Sequence, residues 1–141
     1  MAQYNQGIMN GCVICQLTNN ELPSWVVYED ENAICFLPRE VEAFGHTIIA
    51  PKAHYADLFS VPTDILNYVL GISQKVALHY QTSIGATGIN LLHASGGAAQ
   101  QSVPHFHIHL IPRFNNDGMD AWPKLPGTQI GKDELLKELR L

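Results

Sequence analysis

The chain has 141 residues, 46% of them hydrophobic and 15% charged, which supplies one core and leaves too little length for a second. Thirteen Asp and Glu against eight Lys and Arg give a formal charge of −5, the wrong balance for gripping duplex DNA through a basic surface. No apolar run approaches the roughly eighteen residues of a membrane span, and the N-terminus MAQYNQGIMN lacks the basic and apolar regions of an export signal.

Three cysteines, an odd count, argue for a reducing compartment, with the cytoplasm as expected location, and against a disulfide framework. Residues 1–141 read as a single domain in which 1–10 are expected to be loose. Cys12-x-x-Cys15 follows, then a short apolar-polar turn ending at Pro23. Trp25–Tyr28, Ala33–Leu37 and His46–Ala50 are β-branched or aromatic runs bounded by turn residues, and they predict three strands in an antiparallel meander. Pro51 ends the third. Pro62-Thr63-Asp64 starts a helix of about five turns, on which Ile65, Val69, Ile72, Val76 and Tyr80 share one face. Gly85 and Gly88 break it before a fourth strand, Ile89–Leu92. Ser95–Ser102 is a loop of small residues, and His105–Ile111 is a fifth strand. Residues 113–141 form a tail with a short helix from Lys132 to Leu141. The expected class is α+β, a five-stranded, mostly antiparallel sheet with one long helix and a short C-terminal helix.

The chemistry concentrates in Pro104-His-Phe-His-Ile-His-Leu-Ile-Pro112. His105, His107 and His109 alternate with Phe106, Ile108 and Leu110, the period of a strand, so the imidazoles project from one face while the apolar side chains enter the other. The outer two lie roughly 13 Å apart at about 3.3 Å per residue. An ion bonded to nitrogen at about 2 Å cannot hold all three. An imidazole with a pKa near 6.5 can be nucleophile, acid or base at neutral pH, and a flanking loop of small residues offers main-chain amides to an anion. That loop has no lysine in a phosphate-loop spacing, so a phosphate there falls to histidine, Ser102, Gln101 and backbone N–H groups. Cys12-x-x-Cys15 fits either a metal pair or a redox pair. Cys35, between Ile34 and Phe36, reads as core packing.

His105-Phe-His-Ile-His-Leu-Ile111 resembles the histidine triad (HIT) signature, three histidines alternating with apolar residues. Cys12-x-x-Cys15, Gly45-His46-Thr-Ile-Ile-Ala-Pro-Lys-Ala-His54 and Gln101-Ser102-Val103 agree in order. The resemblance covers about Cys12 to Trp122. It implies a HIT-like fold and a nucleotide hydrolase or transferase acting at an α-phosphate, with His107 as nucleophile forming a nucleotidyl-histidine. His109 and His46 would line the phosphate site, and Gln101 and Ser102 would bind phosphate or leaving group. It also implies a structural zinc on Cys12, Cys15, His54 and His105, a closed set with no open coordination position, no organic cofactor, and a homodimer. Asp117–Lys124 is similar to a C-terminal segment by which family dimers shape the pocket, with Trp122 either capping the site or anchoring the tail on the sheet. Two positions depart from the family pattern. Pro38 stands where many relatives carry a ribose-binding aspartate, and Ala94 where they carry Asn or Gln, with His93 or Ser95 as candidate substitutes. A purine nucleoside phosphoramidase or dinucleoside polyphosphate hydrolase is the leading expectation. A non-catalytic nucleotide-binding or scaffold protein is the alternative, and a zinc hydrolase the third.

Overall fold

Side-chain alternation along the strands divides the apolar residues into two layers, one on each face of a sheet. The computed structural model describes residues 11–141, and the expectation for 1–10 lies outside them. In chain order the elements are α1 (Val13–Thr18), β1 (Val26–Glu29), β2 (Ala33–Phe36), β3 (Thr47–Pro51), α2 (Thr63–Ser83), β4 (Gly88–Leu92), a 3₁₀ turn (Gly97–Ala99), β5 (Ile108–Arg113) and α3 (Lys132–Leu139). The strands form one sheet in the order β1-β2-β3-β5-β4, each neighbouring pair antiparallel. The expected α+β fold and its opening meander are present, and β5 returns between β3 and β4. His109 consequently sits between Ile48 on one side and Leu92 on the other.

On one face Ala33, Cys35, Ile49, Phe106, Ile108 and Leu110 pack against Val69, Ile72, Val76 and Tyr80 of α2. The stripe read from the sequence is the one the helix buries, and Cys35 is core. Thr47 Oγ1 and Tyr80 Oη, 2.6 Å apart, add a buried polar tie between β3 and α2. On the other face Ile34, Phe36 and Ala50 pack against Cys12, Ile14 and Cys15. The period-two rule sends His105, His107 and His109 to this second side, opposite Phe106, Ile108 and Leu110.

Two local readings change. Residues 13–18 form a helix rather than a turn: Val13, Ile14 and Leu17 fall on one helical side, and the Cys12 thiol caps it by accepting from the Cys15 N–H at 3.5 Å. The ladder of β5 begins at Ile108 rather than at His105. Pro51 ends β3, Pro104 has no N–H to give, and Phe106 donates its N–H to the carbonyl of Tyr55 at 2.6 Å, in the loop beyond β3. Residues 105–107 are thus fastened individually, outside the ladder. After β5 the chain is held by Arg113, whose guanidinium forks onto Asp117 at 2.8 and 2.9 Å and reaches Asn90 at 2.8 Å. No helix among the described residues is long and apolar enough to cross a membrane.

Candidate active site and metal centre

Gly45 fixes the entry of His46. Its φ is +78°, and a Cβ there would lie 2.5 Å from Cγ of Pro112, a ring atom that cannot swing away. Only glycine allows this approach of the β3 lead-in to β5. His46 is then buried, and its Nε2 lies 2.9 Å from Nδ1 of His109. Its Nδ1 is buried without a hydrogen-bond partner. Burial pulls the pKa of His46 below the ordinary value, against the opposing charge of Glu42. His109 is pushed down to about 4, by burial first and then by His107, His46 and His93.

A main-chain carbonyl orients the ring of His107. Its Nδ1 lies 2.7 Å from the carbonyl oxygen of His105, two residues back. A carbonyl can only accept, so Nδ1 carries the proton and Nε2 the free lone pair. Burial lowers its pKa, with the His105 carbonyl opposing and His93 reinforcing the shift. The ring is therefore neutral at neutral pH with its basic nitrogen turned away from its own main chain. It lines a cavity of about 490 Å³ walled by Val13, Ile14, Leu17, Leu22, Trp25, Phe36, Leu37, Ile48 and Val103, with Pro38 and Arg39 at the β2–β3 connection. This volume suits a small organic ligand, and apolar walls with few polar groups are the usual composition of such sites.

The remaining sequence-predicted residues are placed around this core. His93 Nδ1 lies 2.7 Å from the carbonyl of His107, and its Nε2 lies 2.6 Å from Ser95 Oγ, which accepts the Leu58 N–H at 2.8 Å. One tautomer satisfies the chain: Nδ1–H donates to the carbonyl and Nε2 accepts from the serine hydroxyl. Gln101 spans the loop, accepting the Gly96 N–H at 2.8 Å and donating to the carbonyls of Ala56 and Val103 at 2.7 and 3.0 Å. Both N–H donors of its amide are thus engaged with backbone. Ser102 is exposed. Trp122 is 80% exposed and outside the cavity wall.

Cys12, Cys15, His54 and His105 converge, with one donor atom from each lying within 4.8 Å of all the others. Nδ1 of His105 is 3.3 Å from the Cys12 sulfur and 3.6 Å from that of Cys15, and Nδ1 of His54 is 3.3 Å from the Cys15 sulfur. A tetrahedron with Zn–S of about 2.3 Å and Zn–N of about 2.0 Å has edges of roughly 3.3–3.8 Å, so these separations fit a four-ligand zinc. Nε2 of His105 donates to the carbonyl of Pro51 at 2.8 Å, leaving Nδ1 as the lone-pair nitrogen facing the sulfurs. No cysteine is in a disulfide. Burial and the neighbouring Cys12 push the Cys15 thiol up to about 12, so an ion bound there must displace protons.

The HIT domain model matches residues 19–116. This chain belongs to the HIT family. It is 37% identical to the adenylylsulfatase HINT3 of Arabidopsis thaliana over 94% of this chain and 67% of that protein. A HIT family protein of Bacillus anthracis superposes with a TM-score of 0.81 at 32% identity, covering 92% of each chain. A zinc-bound histidine triad protein of Mycobacterium smegmatis superposes with a TM-score of 0.77 at 32% identity, over 80% of this chain and 82% of that one. In this HIT chain, sequence reasoning did not reach the cavity wall supplied by α1 and the Leu22–Trp25 turn, nor Arg39. The six residues of α1 show too few helical periods to signal the first, and no spacing signals Arg39.

Proposed function

We propose that this HIT protein cleaves nucleotides at the α-phosphate through a covalent nucleotidyl-His107. The supporting observation is the bond from His107 Nδ1–H to the carbonyl of His105, which leaves Nε2 as a neutral nucleophile at an apolar cavity. In the first displacement the Nε2 lone pair forms a P–N bond while the bond from phosphorus to the leaving group breaks with its electron pair, an amine leaving group taking up one proton from solvent. A proton on His46 Nε2, donated to Nδ1 of His109, leaves His109 with Nε2–H. This arrangement strands a lone pair rather than an N–H at His46 Nδ1, the cheaper orphan. His109 Nε2–H then donates to the phosphoryl oxygens or the departing group. In the second displacement water attacks phosphorus and gives up one proton to solvent, the P–N bond breaks with its electron pair returning to Nε2 of His107, and a nucleoside monophosphate leaves.

Phosphoramidates and dinucleoside polyphosphates fit this chemistry, and the adenylylsulfatase relative adds mixed phosphate–sulfate anhydrides. Residues Cys12, Cys15, His54 and His105 would hold zinc, and a bound zinc would supply a cross-link between α1 and the sheet. The domain is read as 1–141, the compartment as the cytoplasm, and the assembly as a homodimer. Exposed Leu91 on the outer strand β4 supports the last, and sedimentation tests it.

The test of the reaction is incubation with an adenosine phosphoramidate and rapid mass spectrometry without acid. Wild-type protein is expected to carry a nucleotidyl group on His107. His107→Ala should lose both adduct and turnover, and turnover surviving in that variant removes the assignment. Binding without turnover above the His107→Ala level identifies the non-catalytic alternative.

A further inference from the structure

The cavity beside His107 is one-sided in its charge. Among the residues that wall it, none is acidic, and one carries a full charge, Arg39. The rest of the polar lining is Ser24 and His107. Pro38, next to Arg39, has no side-chain donor or acceptor and no N–H. Arg39 itself is exposed and makes no hydrogen bond or ion pair with any described residue. Its neighbours Glu40 and Glu42 do not neutralise it by contact. A chain of net charge −5 therefore places an uncommitted guanidinium at the rim of an apolar slot.

A nucleotide whose α-phosphorus sits at His107 would place its base among the apolar walls, with the sugar between base and phosphorus. In that pose the polar lining left for the sugar edge is Arg39 and Ser24, with no carboxylate to accept from a pair of hydroxyls. A guanidinium is a five-donor group without acceptors, and its best partner is a phosphate held bidentately. A phosphate monoester carries about −1.5 to −2 charges at neutral pH. We infer that Arg39 forms an anion subsite for a second phosphate, carried on the ribose, so that this protein prefers ribose-phosphorylated nucleotides over those with a free diol. This deepens the proposed function, on which it rests for the placement of the α-phosphate at His107.

The experiment measures binding first, so that it does not depend on turnover. Adenosine 3′,5′-bisphosphate, adenosine 2′,5′-bisphosphate and adenosine 5′-monophosphate are titrated into the full-length protein by calorimetry at two salt concentrations. At least one bisphosphate is expected to bind roughly threefold to fivefold tighter than the monophosphate, the upper scale of one ion pair at an exposed site. The preference should shrink at higher salt. Arg39→Gln should bring the ratio close to one, and Arg39→Lys should retain part of it. Equal affinities in the wild type, or a preference that survives in Arg39→Gln, overturn the inference; so does binding of neither class.

Turnover separates this inference from the reaction on which it rests. Adenosine 5′-phosphoramidate with and without a 3′-phosphate, given to wild type and His107→Ala, reports the reaction independently. Turnover that depends on His107 but ignores the ribose phosphate removes the Arg39 subsite and leaves the reaction standing. An Arg39→Gln effect that follows the leaving group instead of the ribose phosphate also overturns it.

Discussion

At the scale of single residues, proton placement follows from which partner can only accept. His107 faces a carbonyl through Nδ1, His93 does the same, and His105 does so through Nε2; in each case the opposite nitrogen keeps its lone pair. His109 has a folded-state pKa of about 4 against an unfolded value near 6.5. Between those values the unfolded chain binds more protons than the folded one. The stability held by the neutral ring is therefore complete above about pH 6.5 and is lost as pH falls through about 4. His46 and His107 are shifted in the same direction and steepen the slope. Urea midpoints measured from pH 8 to pH 4.5 should fall with pH, and His109→Gln should flatten the curve; an unchanged slope removes the argument. Gly45→Ala is expected to cost about 1–3 kcal/mol through its left-handed backbone, with the Pro112 clash added. Activity should fall further than stability accounts for, because His46 is the next residue. Denaturation midpoints alongside turnover decide this.

Elements show what could be read from the chain and what could not. The α2 stripe was legible because five apolar side chains at spacings of three and four leave one helical solution, and Val69, Ile72, Val76 and Tyr80 are buried as that spacing requires. β2 and β3 were legible from β-branched runs between turn residues. α1 was not, because a helix of six residues has too few periods to display, and an isolated helix of that length is not stable in water. Its support comes from Ile34, Phe36 and Ala50, far along the chain. The start of β5 was misplaced because period two describes side-chain direction without revealing where the hydrogen-bonded ladder ends. The triad was visible, but the use of Gln101 on the Gly96, Ala56 and Val103 backbone was not. The proposed zinc would tie α1 to the sheet through Cys12 and Cys15, so treating the zinc-loaded chain with a chelator should lower the melting temperature by several degrees. The cavity wall at Ile14 and Leu17 should loosen at the same time, and Cys15→Ser should reproduce both effects. Hydrogen exchange at residues 13–18 measures this, and unchanged protection in the zinc-free chain argues against it.

For the whole molecule, one sheet serves two layers with different duties. The α2 side is apolar and bears the stability; Phe106 is 1% exposed in it, and Phe106→Ala is expected to cost about 3–5 kcal/mol. The α1 side carries His105, His107 and His109, the Cys12 and Cys15 thiols and the cavity. Phe106 lies between His105 and His107, so its loss should also disturb both neighbours. Val69→Ala removes core from the same layer without touching them. A comparable drop in denaturation midpoint with much less loss of turnover in Val69→Ala would show that the layers are separable; equal loss of turnover would show that they are not.

His105 serves both sites through different atoms: its ring faces the sulfurs while its carbonyl oxygen grips the neighbouring imidazole two residues on. Replacing the side chain deletes one duty and leaves the other, since every amino acid brings the same oxygen. A mutational survey would therefore file this position under metal alone. Its second duty surfaces only when the peptide linkage is edited, for instance as a backbone thioamide whose weaker acceptor loosens the nucleophile while the ring stays in place.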